Sequence, residues 1–195
     1  MTIRQTILKW LYPLLMWGRK KSTGDKLLHN ENKTAAPVSF YSLSAVLNNG
    51  RPLSFESLKG KKVLLVNTAS DCGYTAQYAD LQQLYALAKN NLAIIAFPAN
   101  DFKAQETGSD AEIARFCSVN YGVEFPLAQK AVVVKNNAQH PVYRWLTTPS
   151  LNGWNSQAPT WNFSKYLINE EGLLTHFFDP AVSPLDPVVR NAIRG

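Results

Sequence analysis

The sequence predicts an α/β fold with a central mixed β-sheet flanked by helices on both faces, and three observations predict it. Apolar runs at 62–67 and 92–97 bracket a segment, 75–90, in which Tyr78, Leu81, Leu84, Tyr85 and Ala88 recur at three- and four-residue spacing. This is a strand–helix–strand unit, whose crossover is right-handed. Two hairpin signals, Asn48-Asn49-Gly50 and Asn169-Glu170-Glu171-Gly172, lie between short strand candidates and add antiparallel pairs. Helical segments near 110–120 and after Ser183-Pro184 supply further layers, and one more short strand is expected at 131–134.

The first element is unlike the rest. The stretch TILKWLYPLLMW is apolar but interrupted by Lys9 and Pro13, and Arg19, Lys20 and Lys21 follow it. It falls short of the ~20 apolar residues that span a bilayer, and it has neither the cleavage site nor the flanks of an export signal. Two readings stay open. Trp10, Tyr12, Trp17 and the basic cluster suit peripheral contact of residues 1–21 with an anionic membrane surface. Equally, the segment suits a helix packed on its own domain or on a second copy. The polar stretch GDKLLHNENKTAAP then reads as a linker, so the expected organisation is 1–33 as terminal segment and linker and 34–195 as one domain. Residues 1–33 carry seven Lys or Arg against Asp25 and Glu31, +5 of the chain's +6, so the domain is nearly neutral. It shows no basic stripe with interleaved aromatics, which argues against nucleic acid.

After the first hairpin, the run at 62–67 ends in NTASDCGYT. Cys72 therefore lies between a buried strand's C-terminal end and a helix start, where open α/β sheets place reacting groups. Unpaired N–H groups at a helix start favour a sulfur anion, so a lowered thiol pKa is expected at Cys72, with Gly73 making the tight turn. Without that position, a free cysteine reads as a small buried hydrophobe. Further on, Ser109 with Glu112 forms a capping-box pattern that opens the 110–120 helix, and Ile113, Phe116 and Cys117 share one face of it. The 45-residue separation of Cys72 and Cys117 excludes a Cys-x-x-Cys motif. His29, His140, His176 and the two cysteines have no metal-ligand spacing, and no Gly-rich phosphate loop occurs; neither metal nor cofactor is expected.

Three motifs, NTASDCGYT, FPANDF (97–102) and WNFSKYL (161–167), fall in the order and spacing of the glutathione peroxidase family, and the likeness runs from about residue 38 to 193. The chain resembles its compact cysteine-type members. The resemblance implies a thioredoxin-like fold in which Cys72 is the peroxidatic residue and Trp161 and Asn162 hydrogen-bond its sulfur. Both side chains are N–H donors, suited to an anion. On local spacing alone, Trp161 would read as a core aromatic and Asn162 as a turn residue. Asp101 stands where the family has Gln, and beside the thiolate an ionised carboxylate would repel it and slow the sulfur; the alternatives are that Asp101 points away, stays protonated, or leaves the donor role to Asn100 and backbone N–H groups. Members with a cysteine at the position of Cys117 resemble thioredoxin-dependent enzymes, in which this residue condenses with the sulfenic acid on the first sulfur. The alternative for Cys117 is a packed core thiol. The family's other cysteine is replaced by Ala99.

A cysteine on the apolar face of a helix must unwind its segment to reach another sulfur, so 110–123 is expected to open locally. The segment between His140 and Trp161 is short, as in the monomeric members, which leaves a site open to bulky hydroperoxides. The expectation is a cytoplasmic, possible membrane-peripheral monomer that reduces hydrogen peroxide and organic or lipid hydroperoxides, with thioredoxin or glutathione as reductant. Two other classes remain: a redox relay that oxidises a partner, and a membrane-associated binding module with a weakened site.

Overall fold

The computed structural model describes residues 2–19 and 27–195, without the side chains of residue 9 and 13–19. The motif-bearing strands form a five-stranded sheet in the order β1-β7-β6-β4-β5. Its members are β1 (Leu27–His29), β4 (Lys62–Thr68), β5 (Leu92–Pro98), β6 (Lys165–Ile168) and β7 (Leu174–Phe178), while β2 (Ser44–Val46) and β3 (Pro52–Ser54) form a separate hairpin. β4 pairs parallel with β5 and antiparallel with β6, so the sheet is mixed. All seven residues of β4 are buried, as expected for a central strand covered on both faces.

Alternation along the strands divides the core in two. Leu64, Val66, Ile94 and Ala96 face a cluster shared with α2 (Gln77–Ala88), α3 (Asp110–Tyr121) and α6 (Pro187–Arg194). Val63, Leu65, Ile95 and Phe97 face the other cluster, built with α4 (Pro141–Leu146) and the ring of Phe40. Helices thus cover both faces, as the pattern predicted. The spacing at 75–90 is realised as α2, whose Tyr78, Leu81 and Leu84 are buried. Pro at the first helical turn starts α4, α5 (Pro149–Asn152) and α6.

Two expectations need correction. No strand forms at 131–134: the segment is an irregular loop, held by Ala131 N–H to the Pro98 carbonyl at 2.9 Å and His140 N–H to the Val132 carbonyl at 2.9 Å. Its apolar residues mark burial, since Val133 is fully buried, and not a ladder. Secondly, the stretch read as linker contains β1, which pairs antiparallel with β7 and stacks His29 on His176 at 4.4 Å. Short edge strands of three residues carry too little periodicity to read. The N-terminal segment follows the reading of a helix packed on its own domain: α1 (Ile3–Arg19) is docked through Arg4, Gln5 and Tyr12, while its apolar residues Ile3, Ile7, Trp10 and Leu11 are exposed. Among the described residues no helix is long and apolar enough to cross a membrane.

Candidate active site

Cys72 lies in the turn that leaves the buried end of β4. The turn is closed by Thr75, whose hydroxyl accepts the Cys72 N–H and donates to the Ala69 carbonyl, both at 2.9 Å. Successive short-range bonds, Thr75 N–H to the Cys72 carbonyl and Gln77 N–H to that of Tyr74, wind the chain into α2. Gly73 does not adopt a left-handed conformation, so a different residue could follow the same path; Thr75, unremarkable in the sequence, is the clasp. The Tyr74 N–H donates to Cys72 Sγ at 3.4 Å.

Trp161 and Asn162 come to this sulfur from the loop ahead of β6. Asn67 of β4 holds that loop: its Nδ2 donates to the Trp161 carbonyl at 3.1 Å, its Oδ1 accepts the Ser164 N–H at 3.1 Å, and its own carbonyl accepts the Phe163 N–H at 2.6 Å. Phe163 sits at φ 69, a strained position for a bulky residue, and its buried ring packs edge-on against Tyr78 at 5.4 Å. The strain is stored beside the residue that reaches the sulfur. The Trp161 ring lies 5.4 Å from that of Phe102 and 5.7 Å from Lys103 Nζ.

Electrostatically, the site differs from expectation. The Cys72 thiol is pushed up to about 11, because burial of a side chain with 1% exposure outweighs every favourable contact. Hydrogen bonds from the Trp161 and Asn162 side chains pull it down, Asp71 pushes it up and Arg4 pulls it down. The low pKa expected there is not found, since desolvation of a small anion exceeds what the pull of Trp161 and Asn162 returns. Asp101 is engaged elsewhere. Its Oδ2 accepts the Val133 N–H at 2.9 Å and its charge bears on Tyr143, so it anchors the 131–134 loop and is absent from the groups that act on Cys72. A carboxylate takes a backbone N–H readily, and this one turns away from the sulfur to do so.

Cys117 is fully buried in the middle of α3, and burial pushes its thiol up to about 12. Tyr78 opposes that rise, while nearby Glu106 adds to it. Both cysteines are free thiols and border the same apolar cluster. The expected capping box is present in full: Ser109 Oγ accepts the Glu112 N–H at 3.4 Å, and Glu112 Oε2 accepts the Ser109 N–H at 2.8 Å. Gly122, left-handed at φ 61, closes the other end.

Three residues that sequence reasoning missed complete the surroundings. Gln105 Oε1 accepts from Asn162 Nδ2 at 3.0 Å, which orients the amide. Glu106, buried and bonded by the Ser70 hydroxyl at 3.0 Å, is pushed up to about 7 by desolvation. Arg4 of α1 pairs with Asp71 beside the reactive sulfur. The Gln105-Glu106 pair follows the FPANDF motif directly, a signal within reach; nothing in the sequence pointed to Arg4. A cavity of about 400 Å³ opens here between α1 and α3, lined by Gln5, Asp71, Gln105, Glu106, Glu112 and Phe116 among others. Among the described residues no group of three or more His, Cys, Asp or Glu side chains could hold a metal.

The family model for glutathione peroxidase matches residues 40–147, which include both cysteines. The chain belongs to the glutathione peroxidase family. It is similar to the glutathione peroxidase-like peroxiredoxin HYR1 of Saccharomyces cerevisiae, with 42% identity over 146 residues, 74% of this chain and 89% of that protein. The crystal structure of Trgpx in its apo form is also similar, with a TM-score of 0.62 and 27% identity over 82% of this chain and 98% of that one. A thioredoxin family thiol:disulfide interchange protein from Chlorobium tepidum matches in fold, with a TM-score of 0.56 at 17% identity over 82% of this chain and 97% of its own. The fold is thus thioredoxin-like and the protein is a thiol peroxidase. The matched region starts at residue 40, so the α1 contacts beside the peroxidase's reactive turn lie outside it.

Proposed function

We propose that Cys72 attacks the terminal oxygen of a hydroperoxide, so that the O–O bond breaks, the sulfur becomes a sulfenic acid and the alcohol or water leaves with a proton. The observation that carries this reading is the convergence on Cys72 Sγ of the Tyr74 N–H and the Trp161 and Asn162 side chains, all donors and all suited to the anion. Because the resting thiol is protonated, the anion forms when peroxide and water enter beside Asp71 and relieve the desolvation that holds the proton on. The cavity between α1 and α3 supports entry from that side.

Cys117 then attacks the Cys72 sulfur, forming a disulfide and releasing water, and a dithiol of the thioredoxin type returns two electrons to restore both thiols. Since Cys117 faces the core, α3 opens to deliver it. Two free cysteines and a thiol reductant suit a reducing cytoplasm. The exposed apolar residues of α1 and the charge of the N-terminal segment support contact with anionic lipid, and hence lipid hydroperoxides among the substrates.

A coupled assay with thioredoxin, and separately with glutathione, tests the scheme on wild type, Cys72→Ser and Cys117→Ser. Cys72→Ser should abolish turnover with either reductant. Cys117→Ser should still consume one equivalent of peroxide while losing thioredoxin turnover. Full thioredoxin turnover in Cys117→Ser would remove it from the cycle.

A further inference from the structure

The N-terminal helix has two chemically distinct sides. Ile3, Ile7, Trp10 and Leu11, at i, i+4, i+7 and i+8, form one stripe, with Ile3 82% and Trp10 81% exposed. Among the described residues, the other exposed large hydrophobics, Leu28, Val38, Val46, Leu87 and Val119, each lie alone on separate elements or loops. Gln5 and Tyr12 lie about 165° round the helix from the stripe's centre, at 3.6 residues per turn, Arg4 lies at the stripe's edge, and all three grip the domain. Arg4 pairs with Asp71, Gln5 Nε2 donates to the Ser70 carbonyl at 3.0 Å, and the Tyr12 hydroxyl donates to Asp80 Oδ2 at 2.9 Å. Asp80 is itself fixed by the Ser183 hydroxyl at 2.8 Å. The first two contacts fall on the residues immediately before Cys72.

We propose that α1 is an adapter layer: its outer stripe lies on an anionic lipid bilayer while its inner side stays clasped to the 70–71 turn. The reactive turn is then held about one helix diameter, about 10 Å, from the membrane surface. This rests on the lipid-facing reading of α1 and adds which residues orient the site toward the bilayer. Charge selects the occupant. The segment of residues 1–33 carries +5, which attracts anionic headgroups and repels a second copy of itself. The two sides of α1 do not compete, so lipid contact leaves the clasp intact. Arg4, Gln5 and Tyr12 are positioning residues for the peroxidase reaction, acting through the turn and not on peroxide.

Hydrogen exchange of the full chain on phosphatidylcholine vesicles with and without phosphatidylserine tests the adapter. On phosphatidylserine vesicles, exchange is expected to slow in residues 3–12 and in 70–75 alike. The double variant Ile7→Ser, Trp10→Ser should lose about tenfold or more in vesicle affinity, and unchanged affinity overturns the stripe. Asp71→Ala with Asp80→Ala leaves α1 intact; it should still bind vesicles but lose the slowing at 70–75, and retained slowing overturns the clasp. Faster exchange at 70–75 in wild type on vesicles would mean that the helix lifts off, which overturns the adapter while leaving the lipid contact standing. Absence of vesicle binding by wild type removes the lipid contact itself, and dimerisation through α1 in its place would make a second copy the occupant.

Discussion

Cys72 and Cys117 are equally hidden, at 1% and 0% exposure, yet their surroundings are opposite in kind. Cys72 lies in a turn whose neighbours Asp71 and Gly73 are half-buried, and three protein donors serve its sulfur. Cys117 is in the middle of a helix closed at both ends, beside Tyr78. Burial raises both thiols, to about 11 and about 12, so burial does not distinguish the attacking sulfur from the resolving one. The donors and the local framework do. A turn admits water with small movements, whereas a capped helix must break several hydrogen bonds at once.

If donors define Cys72, removing one has the largest effect. Trp161→Phe should slow sulfenic acid formation by about 100- to 1,000-fold in single-turnover measurements, the range for loss of one preorganised donor at a developing charge. A rate within twofold of wild type would assign the advantage of Cys72 to its position alone.

Glu106 touches both halves of the comparison, through Ser70 on one side and Cys117 on the other. Its pKa is raised from the usual 4.5 to about 7, so between those values the folded state holds a proton that the unfolded chain releases. Stability should therefore fall as pH rises from about 4.5 through 7. Glu106→Gln removes the ionisation and should be the more stable protein at pH 8 by about 1–2 kcal/mol, with a flatter pH profile in denaturant titrations. An unchanged slope would mean that water reaches the carboxylate.

The helix side is sharpened by Ser109→Ala, which breaks the capping box at a cost of about 1 kcal/mol. Opening of α3 should become about fivefold more frequent, and disulfide formation after one equivalent of peroxide should quicken to match. Slower formation would mean that Cys117 reacts from the folded helix. The smallest effect is expected at Asp101. Asp101→Asn keeps an acceptor for the Val133 N–H, so the reaction of Cys72 should stay within about twofold and stability should fall by less than about 1 kcal/mol. A clear acceleration would restore the carboxylate to the neighbourhood of the sulfur.

The order of elements was legible because periodicity reports burial, and the central strands and α2 bury long stretches. Cys72 was legible from its place after the first buried strand, and the capping box of α3 from Ser109 and Glu112. Trp161 and Asn162 were legible only through the family resemblance, since they reach the sulfur by way of Asn67, a contact across more than ninety residues. Asp101 shows the limit of reading by position: its place in a motif left its direction open, and an amide from another loop claimed it.

By itself the sequence determined the sheet's central strands, the placement of the first thiol and the chemistry open to the second. Local periodicity and turn chemistry act between near neighbours, and those features depend on nothing else. Tertiary structure alone decided the protonation of Cys72, the partners of Asp101 and Glu106, and the clasp of α1 on the reactive turn. Each of these depends on how much water is removed and which distant groups replace it, and that balance exists only after the chain has closed on itself.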